Sequence, residues 1–207
     1  MKVLIINGSP KANGNTCAAL SEMEKIFLEN GVEVETVVVG NKVIRGCIGC
    51  GGCSVKGKCV FDDDIVNELA VKMDEADGLV IGSPVYYASA NGTLVSLLDR
   101  LMFSTASVDK TMKVAASVAV ARRGGTTATF DQLNKYITYG GFAVATSQYW
   151  NIVHGRVPGD APQDEEGMQT MRTLARNMVF LMKSIALGKE QYGLPKKETR
   201  IGTNFIR

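Results

Sequence analysis

Four cysteines fall within thirteen residues, Cys47, Cys50, Cys53 and Cys59, in the spacing C-x2-C-x2-C-x5-C. Thiolates are soft ligands, and three of them at two-residue intervals can wrap three corners of an iron–sulfur cubane, with a fourth arriving after a short turn. Gly46, Gly49, Gly51, Gly52 and Gly57 lie among them and let the backbone curl tightly enough to bring amides towards sulfur. Two other chemistries compete for the same residues. Structural zinc usually draws two separated cysteine pairs rather than one shared run, and a metal-free redox dithiol needs only two of the four. Cys17 stands apart near the start of a predicted helix. It is either a thiol made reactive by the helix N-terminus or a small buried packing residue.

Three further stretches carry residues suited to a nucleotide. The first, Asn7-Gly8-Ser9-Pro10-Lys11-Ala12-Asn13-Gly14-Asn15-Thr16, precedes a helical pattern. Backbone N–H groups there can face a phosphate, with Ser9, Asn15 and Thr16 as side-chain donors. Lys11 either screens that phosphate or faces solvent. The run matches neither G-x-x-x-x-G-K-[ST] nor G-x-G-x-x-G, which disfavours the usual NTPase and dinucleotide sites. Its plainer reading is a glycine-rich turn with Asn15 or Thr16 as the helix cap.

The second stretch runs from Gly82 to Gly92. Pro84 fixes a backbone angle, and Val85, Tyr86 and Tyr87 beside small residues form an apolar shelf for a planar heterocycle. The alternative is a strand end whose tyrosines pack on the next helix. The third, Ala121-Arg122-Arg123-Gly124-Gly125-Thr126, allows close backbone approach at its glycines. An arginine there can meet an anionic ring or a second phosphate; otherwise the arginines are solvated at a turn.

The elements that must position these stretches follow from apolar periodicity. Lys2–Ile6 is a continuous apolar strand of the kind covered on both faces. Thr16–Asn30 has helical spacing at Ala19, Leu20, Met23, Ile26 and Phe27, Gly31 ends it, and Val32–Val39 is a second strand. A helix over Asp62–Asp74 opens on an acidic turn, Asp62, Asp63 and Asp64, suited to the helix dipole. Strands over Gly78–Gly82, Lys113–Val120 and Phe142–Ser147 alternate with helices over Gly92–Phe103, Thr126–Thr138 and Glu165–Leu187. Five strands alternating with five helices predict an α/β, doubly wound five-stranded parallel sheet in the order 2-1-3-4-5, with helices on both faces. Ligands of such sheets bind where the strand order reverses, at the strands' C-terminal ends, so the three nucleotide loops should converge. Gly40–Phe61 and Trp150–Gln163 break the rhythm, and loops of that length are usually functional. The predicted organisation is one domain over residues 1–190, a cysteine-rich loop at 41–61 and a tail at 191–207.

With 207 residues and 45% hydrophobic side chains, one domain can bury its own core. Lys plus Arg number 23 against 21 Asp plus Glu, a net charge of +2, which gives no case for a nucleic-acid partner. No apolar run nears the ~20 residues that cross a bilayer, and the expected location is cytoplasmic. His154, the single histidine, is either an acid near a bound ring or a hydrogen-bonded loop residue. No side chain is assigned to proton abstraction. Tyr149 and Trp150 either cover the ring or pack at an interface. Met168, Met171, Met178 and Met182, with Leu174 and Leu181, form a core or subunit-contact stripe. Lys196 and Lys197 are expected in solvent.

G-S-P-x-x-x-G-N-T, S-P-V-Y-Y and R-R-G-G, in that order over residues 1–148, resemble the NADPH-dependent FMN reductase family of flavodoxin-like proteins. The resemblance implies noncovalent FMN, its phosphate on Ser9, Lys11, Asn15 and Thr16. Its ring would lie against Pro84, Val85, Tyr86 and Tyr87, with Asn91 nearby and Arg123, Gly124 and Gly125 closing the other side. The cysteine run after the second strand is similar to that of the archaeal and bacterial iron–sulfur flavoproteins. It departs from the bacterial ferredoxin run, because Val60 rather than proline follows Cys59. This second resemblance implies a [4Fe–4S] cluster on Cys47, Cys50, Cys53 and Cys59 and a homodimer or homotetramer. The implied activity is electron transfer from a low-potential donor such as ferredoxin, through the cluster to FMN, and on to a small-molecule acceptor. Two alternatives stand beside it: an NAD(P)H-dependent FMN or quinone-type reductase, and a redox-sensing binding module.

Overall fold

Strand residues point alternately to opposite faces of a sheet, and the first strand, β1 (Lys2–Asn7), uses this to sort the whole molecule. In the computed structural model, which describes residues 1–199, 201–203 and 205, Val3 and Ile5 join one apolar cluster and Leu4 and Ile6 the other. All four are fully buried. The Val3 side is covered by α1 (Asn15–Glu29) and α6 (Glu165–Tyr192). The Leu4 side is covered by α3 (Val66–Glu75), α4 (Gly92–Ser104) and α5 (Thr126–Tyr139). A strand apolar on both faces therefore dictates a three-layer arrangement. The methionine stripe of α6 lies in the first cluster as core.

The sheet runs β2 (Glu33–Val38), β1, β3 (Gly78–Tyr86), β5 (Val114–Ala121) and β6 (Ala143–Val144), all parallel. This is the expected path once a short β4 (Ser89–Ala90), antiparallel to β3, is added to the count. The strand order reverses between β1 and β3, which pair through Asn7 and Gly82. Gly8 extends that ladder by donating to the Gly82 carbonyl at 2.8 Å.

Three elements differ from expectation. The strand predicted over Phe142–Ser147 pairs only at Ala143 and Val144; the chain leaves the sheet and returns as β7 (Ile152–His154), again parallel to β5. The detour is pinned to α6 by side chains: Ser147 Oγ donates to the Thr170 carbonyl (2.7 Å), and Asn177 Nδ2 donates to that of Thr146 (2.8 Å). The segment predicted as a loop to Gln163 thus holds β7 and a 3-10 turn, Ala161–Gln163. The third helix starts at Val66 rather than Asp62. Two of the three acids have partners of their own: Asp62 takes Lys58 and Asn67, and Asp64 takes Arg100 while also accepting from the amide of Val66, the first helical residue. Within the cysteine loop a short helix appears that the sequence reading did not include, α2 (Gly52–Lys56), bounded by Gly51 and Gly57, both at φ 69°. Two left-handed residues so close together confine both positions to glycine in practice. Beyond Tyr192 the described tail has no helix or strand; Lys196 and Lys197 are exposed as expected, and Lys197 also pairs with Asp109 at the surface. No helix among the described residues is long and apolar enough to cross a membrane.

Candidate functional site

The reversal point between β1 and β3 carries an open cleft of about 200 Å³. It gathers Ser9, Lys11, Asn15 and Thr16 from the first loop and Pro84, Val85 and Tyr86 from the second. The α1 helix starts behind an extended Gly14 with no side-chain cap, so its first amides are free to face an anion. Lys11, Arg122 and Arg156 line the cleft and no carboxylate does. That imbalance suits an anionic ligand.

Ser9 is held in place locally: its amide donates to Asn7 Oδ1 (2.9 Å) and its Oγ accepts from the Lys11 amide (3.2 Å). Asn15 bridges two loops, its Oδ1 accepting from the Ala161 amide at 3.1 Å. The first loop also rests against Gly40, where a Cβ would stand 2.2 Å from the Gly8 oxygen. A side chain there is incompatible with this loop position.

Other predicted residues lie elsewhere. Asn91 is buried and caps α4, accepting from the Thr93 and Leu94 amides at 2.8 and 3.2 Å. Tyr87 projects into solvent, and it and Ala88 form the β3–β4 turn at φ 50° and 58°. Two consecutive non-glycine residues in that region are uncommon. Gln132 of α5 holds the turn, its Oε1 accepting from Ser89 Oγ and the Ala90 amide, both at 2.8 Å. Arg123 and Gly124 are exposed outside the cleft lining, and Gly125, at φ 90°, packs against Ala88 and Val85 from the far side. His154 lies beside Asp164 (3.6 Å) and also outside the lining. Cys17 is half-buried on α1 with Ser21 as its neighbour, and Tyr149 and Trp150 are half-exposed with ring centroids 5.1 Å apart.

The sequence reading missed Val120, Ala121, Gly155 and Arg156 in the lining and singled out Arg123 where Arg122 faces the cleft. Only the unusual length of the 150–163 segment pointed towards Gly155 and Arg156. A larger groove at the opposite end of the sheet, lined by Asp74, Asp77, Lys113 and Met182 among others, holds none of the predicted cofactor or metal residues.

The second site is the cysteine loop. Cys47, Cys50, Cys53 and Cys59 line one small apolar concavity of about 20 Å³, walled by Ile48, Val60, Phe61 and Phe103. Cys59 is buried, Cys53 half-buried, and Cys47 and Cys50 exposed. Among the described residues no three His, Cys, Asp or Glu side chains converge closely enough to hold one metal ion. A cubane takes each thiolate on a different iron, so its ligands are spread around a pocket rather than drawn to a point. The donor set, four thiols lining one apolar concavity, fits the chemistry of such a group.

Cys59 is gripped from two directions. Asn67 of α3 accepts from the Cys59 amide (3.0 Å) and donates to its carbonyl (3.1 Å). Arg100 of α4, 1% exposed, donates from Nε to Cys59 Sγ at 3.3 Å. Its other nitrogens reach Asp64, the Arg45 carbonyl (3.3 Å) and the Phe61 carbonyl (3.2 Å). Burial opposes the Arg100 charge, but Asp64 and the Cys59 sulfur outweigh it and leave the pKa above its ordinary value. Arg100 lies nine residues along the chain from the Asn91 cap, about 13 Å along the helix axis.

Comparison with known proteins bears on the family and the fold. The model of the NADPH-dependent FMN reductase family matches residues 1–156. An iron–sulfur flavoprotein of Methanocaldococcus jannaschii is 35% identical over 192 residues, covering 89% of this chain and 99% of its own. Another, from Methanosarcina thermophila, is 28% identical over 196 residues, with 92% and 100% covered. Among solved structures, RosB with a bound riboflavin-phosphate intermediate superposes with a TM-score of 0.68 at 16% identity, covering 100% of this chain and 94% of that one. A flavodoxin from the domain Archaea gives 0.58 at 13%, covering 88% and 99%. The structural likenesses carry the flavodoxin-like fold. The sequence matches carry the rest: the chain is an FMN-dependent oxidoreductase and belongs to the NADPH-dependent FMN reductase family, among its iron–sulfur flavoproteins.

Proposed function

We propose that this protein receives electrons from a low-potential, ferredoxin-like donor at a [4Fe–4S] cluster on Cys47, Cys50, Cys53 and Cys59, and delivers them through FMN to a small-molecule acceptor. When bound, the cluster supplies one-electron chemistry and the flavin the ability to store two electrons. The observation that carries the reading is the cysteine pocket: all four thiols line one apolar concavity, and the most buried of them accepts a hydrogen bond from a buried arginine.

This chain's own residues bind and orient. Ser9, Asn15, Thr16 and the first amides of α1 face the flavin phosphate, with Lys11 supplying charge. Pro84, Val85 and Tyr86 offer the ring an apolar wall and main-chain groups. Arg122 and Arg156 hold positive charge where an anionic ring or a second phosphate would lie. Gly125 packs against Val85 and Ala88 of that wall, Arg123 and Gly124 stay at its exposed edge, and Asn91 and Tyr87 act through the shape of the β3–β4 turn. No side chain is assigned a proton to move. Assembly into a homodimer or homotetramer belongs to the same reading, with Tyr149 and Trp150 as surface aromatics at a contact.

The test is an anaerobic preparation with iron, sulfide and flavin counted per chain, followed by stopped-flow reduction. The reading expects iron and sulfide in cubane proportion together with FMN, and rapid bleaching by reduced ferredoxin. A loaded sample inert to ferredoxin refutes the electron route; a colourless sample that takes up neither cofactor refutes the whole reading. A second reading, hydride delivery from NAD(P)H straight to FMN, is favoured by the match to the NADPH-dependent FMN reductase model. It expects bleaching by NAD(P)H within seconds whether or not the cluster is present.

A further inference from the structure

An arginine side chain is rarely buried, because its charge must be compensated at every donor. On α4, Leu94, Leu97, Leu98 and Leu101 are buried as an apolar face should be, and Arg100 shares that burial at 1% exposure. Asp64 and the carbonyls of Arg45 and Phe61 compensate its terminal nitrogens. These contacts alone would close the loop between Arg45 and Asp64. The Nε contact at 3.3 Å to Cys59 Sγ is of another kind. A thiol sulfur is a weak acceptor and a metal-bound thiolate a good one, so the donor is matched to a ligated sulfur.

Resting on the cluster reading above, we propose that Arg100 is a positioning residue that fixes the Cys59 sulfur and sets the reduction potential of the cluster it ligates. Asn67 holds the Cys59 backbone at both its amide and its carbonyl, which leaves the sulfur little freedom. Cys59 is thereby the pre-oriented ligand, whereas Cys47 and Cys50 are exposed on a glycine-rich stretch. Reduction adds one electron and one negative charge, and hydrogen bonds to the ligating sulfur stabilise that extra charge. Asp64 balances the guanidinium through Nη1, whereas Nε points at sulfur, so the ion pair is oriented with its positive end towards the cysteine pocket. Burial reduces the screening that would weaken this effect at the surface. The Arg45 guanidinium, 4.1 Å from the Phe61 ring centroid, adds a second cation to the same wall.

The test compares the wild-type chain with Arg100→Lys and with the charge-balanced pair Asp64→Asn/Arg100→Gln, which leaves no unpaired buried carboxylate. Each is loaded anaerobically, its iron and sulfide counted, and its cluster and FMN midpoint potentials measured in one titration with dithionite and mediators. The double variant is expected to keep its iron and its FMN potential while the cluster's reduction equilibrium falls at least tenfold, 59 mV for one electron. Arg100→Lys, which keeps the charge without the directed Nε donor, should fall between. Loaded variants with cluster equilibria within twofold of wild type overturn the proposal and leave the cluster reading intact. Loss of iron from both variants, with a loaded wild type, reassigns Arg100 to a loop clamp and also overturns it. A wild-type chain that takes up no iron and sulfide overturns the cluster reading and this one together.

Discussion

Gly40→Ala is the sharpest available probe of the phosphate loop, because Gly40 lies in the next connection and touches the loop only through its lack of a side chain. A Cβ there would stand 2.2 Å from the Gly8 oxygen, 2.3 Å from the Ser9 carbonyl carbon and 2.5 Å from the Pro10 nitrogen. All three are backbone atoms, so no rotamer change relieves the clash, and the loop must shift by about 1 Å to restore van der Waals contact. Gly8 cannot move towards the helix layer: a Cβ placed on it would already meet Leu94 at 2.6 Å, and its amide is tied to Gly82. The displacement therefore falls on Ser9 and the first amides facing the cleft. Losing one or two charge-assisted hydrogen bonds to phosphate costs about 2–4 kcal/mol, which weakens FMN binding roughly 30- to 1,000-fold. The assay is titration of apoprotein with FMN and, as the control lacking phosphate, with riboflavin. Riboflavin affinity should change by less than about threefold, since none of the disturbed contacts reaches the ring. An FMN affinity within about threefold of wild type in a folded variant, or an equal loss for riboflavin, would refute this account of the loop.

Three further substitutions test other parts. Cys59→Ala should abolish iron and sulfide incorporation while FMN stays bound, read by elemental analysis and the visible spectrum; full iron content would contradict its role as a ligand. Gly125→Ala places a Cβ 2.8 Å from Ala88 Cα at φ 90°, so the turn carrying Tyr87 and Ala88 must move. The near-ultraviolet and flavin circular dichroism should change, with stability lower by about 1–3 kcal/mol. For Glu22, the Arg172 guanidinium at 2.8 Å is the main cause that holds the carboxyl below its ordinary 4.5. A depressed carboxylate stabilises the fold above its unfolded pKa and loses that contribution as the pH falls through its folded value. Glu22→Gln should thus cost about 0.2–1 kcal/mol near neutral pH, and denaturant titrations of the two proteins should converge in acid. A gap that persists unchanged at low pH would contradict the assignment.

Local pattern made most of the scaffold legible. The unbroken apolar run Val3, Leu4, Ile5 and Ile6 implied two covered faces, and the two clusters divide at those residues. Helix bounds for α1, α4 and α5 lie within one or two residues of the periodicity. The reading failed where a residue's partner is remote in sequence. Asp64 reads as a helix-start acid and does accept from the Val66 amide, but it also pairs with Arg100, 36 positions away, which no local pattern shows. The edge strand near Ser147 reads as continuous, yet hydrogen bonds to Thr170 and Asn177 of α6 pull it out of the sheet.

The sequence by itself determined the layered sheet, the order of the nucleotide loops and the four thiols in one short run, since each is written in residue type and near-neighbour spacing. Only the tertiary structure decided that Arg122 and Arg156 face the cleft, that Asn91 is a helix cap, and that a buried guanidinium meets Cys59. Those outcomes depend on which backbone segments approach one another after the sheet is assembled. No periodicity or motif within one stretch of chain records the position of a partner on another.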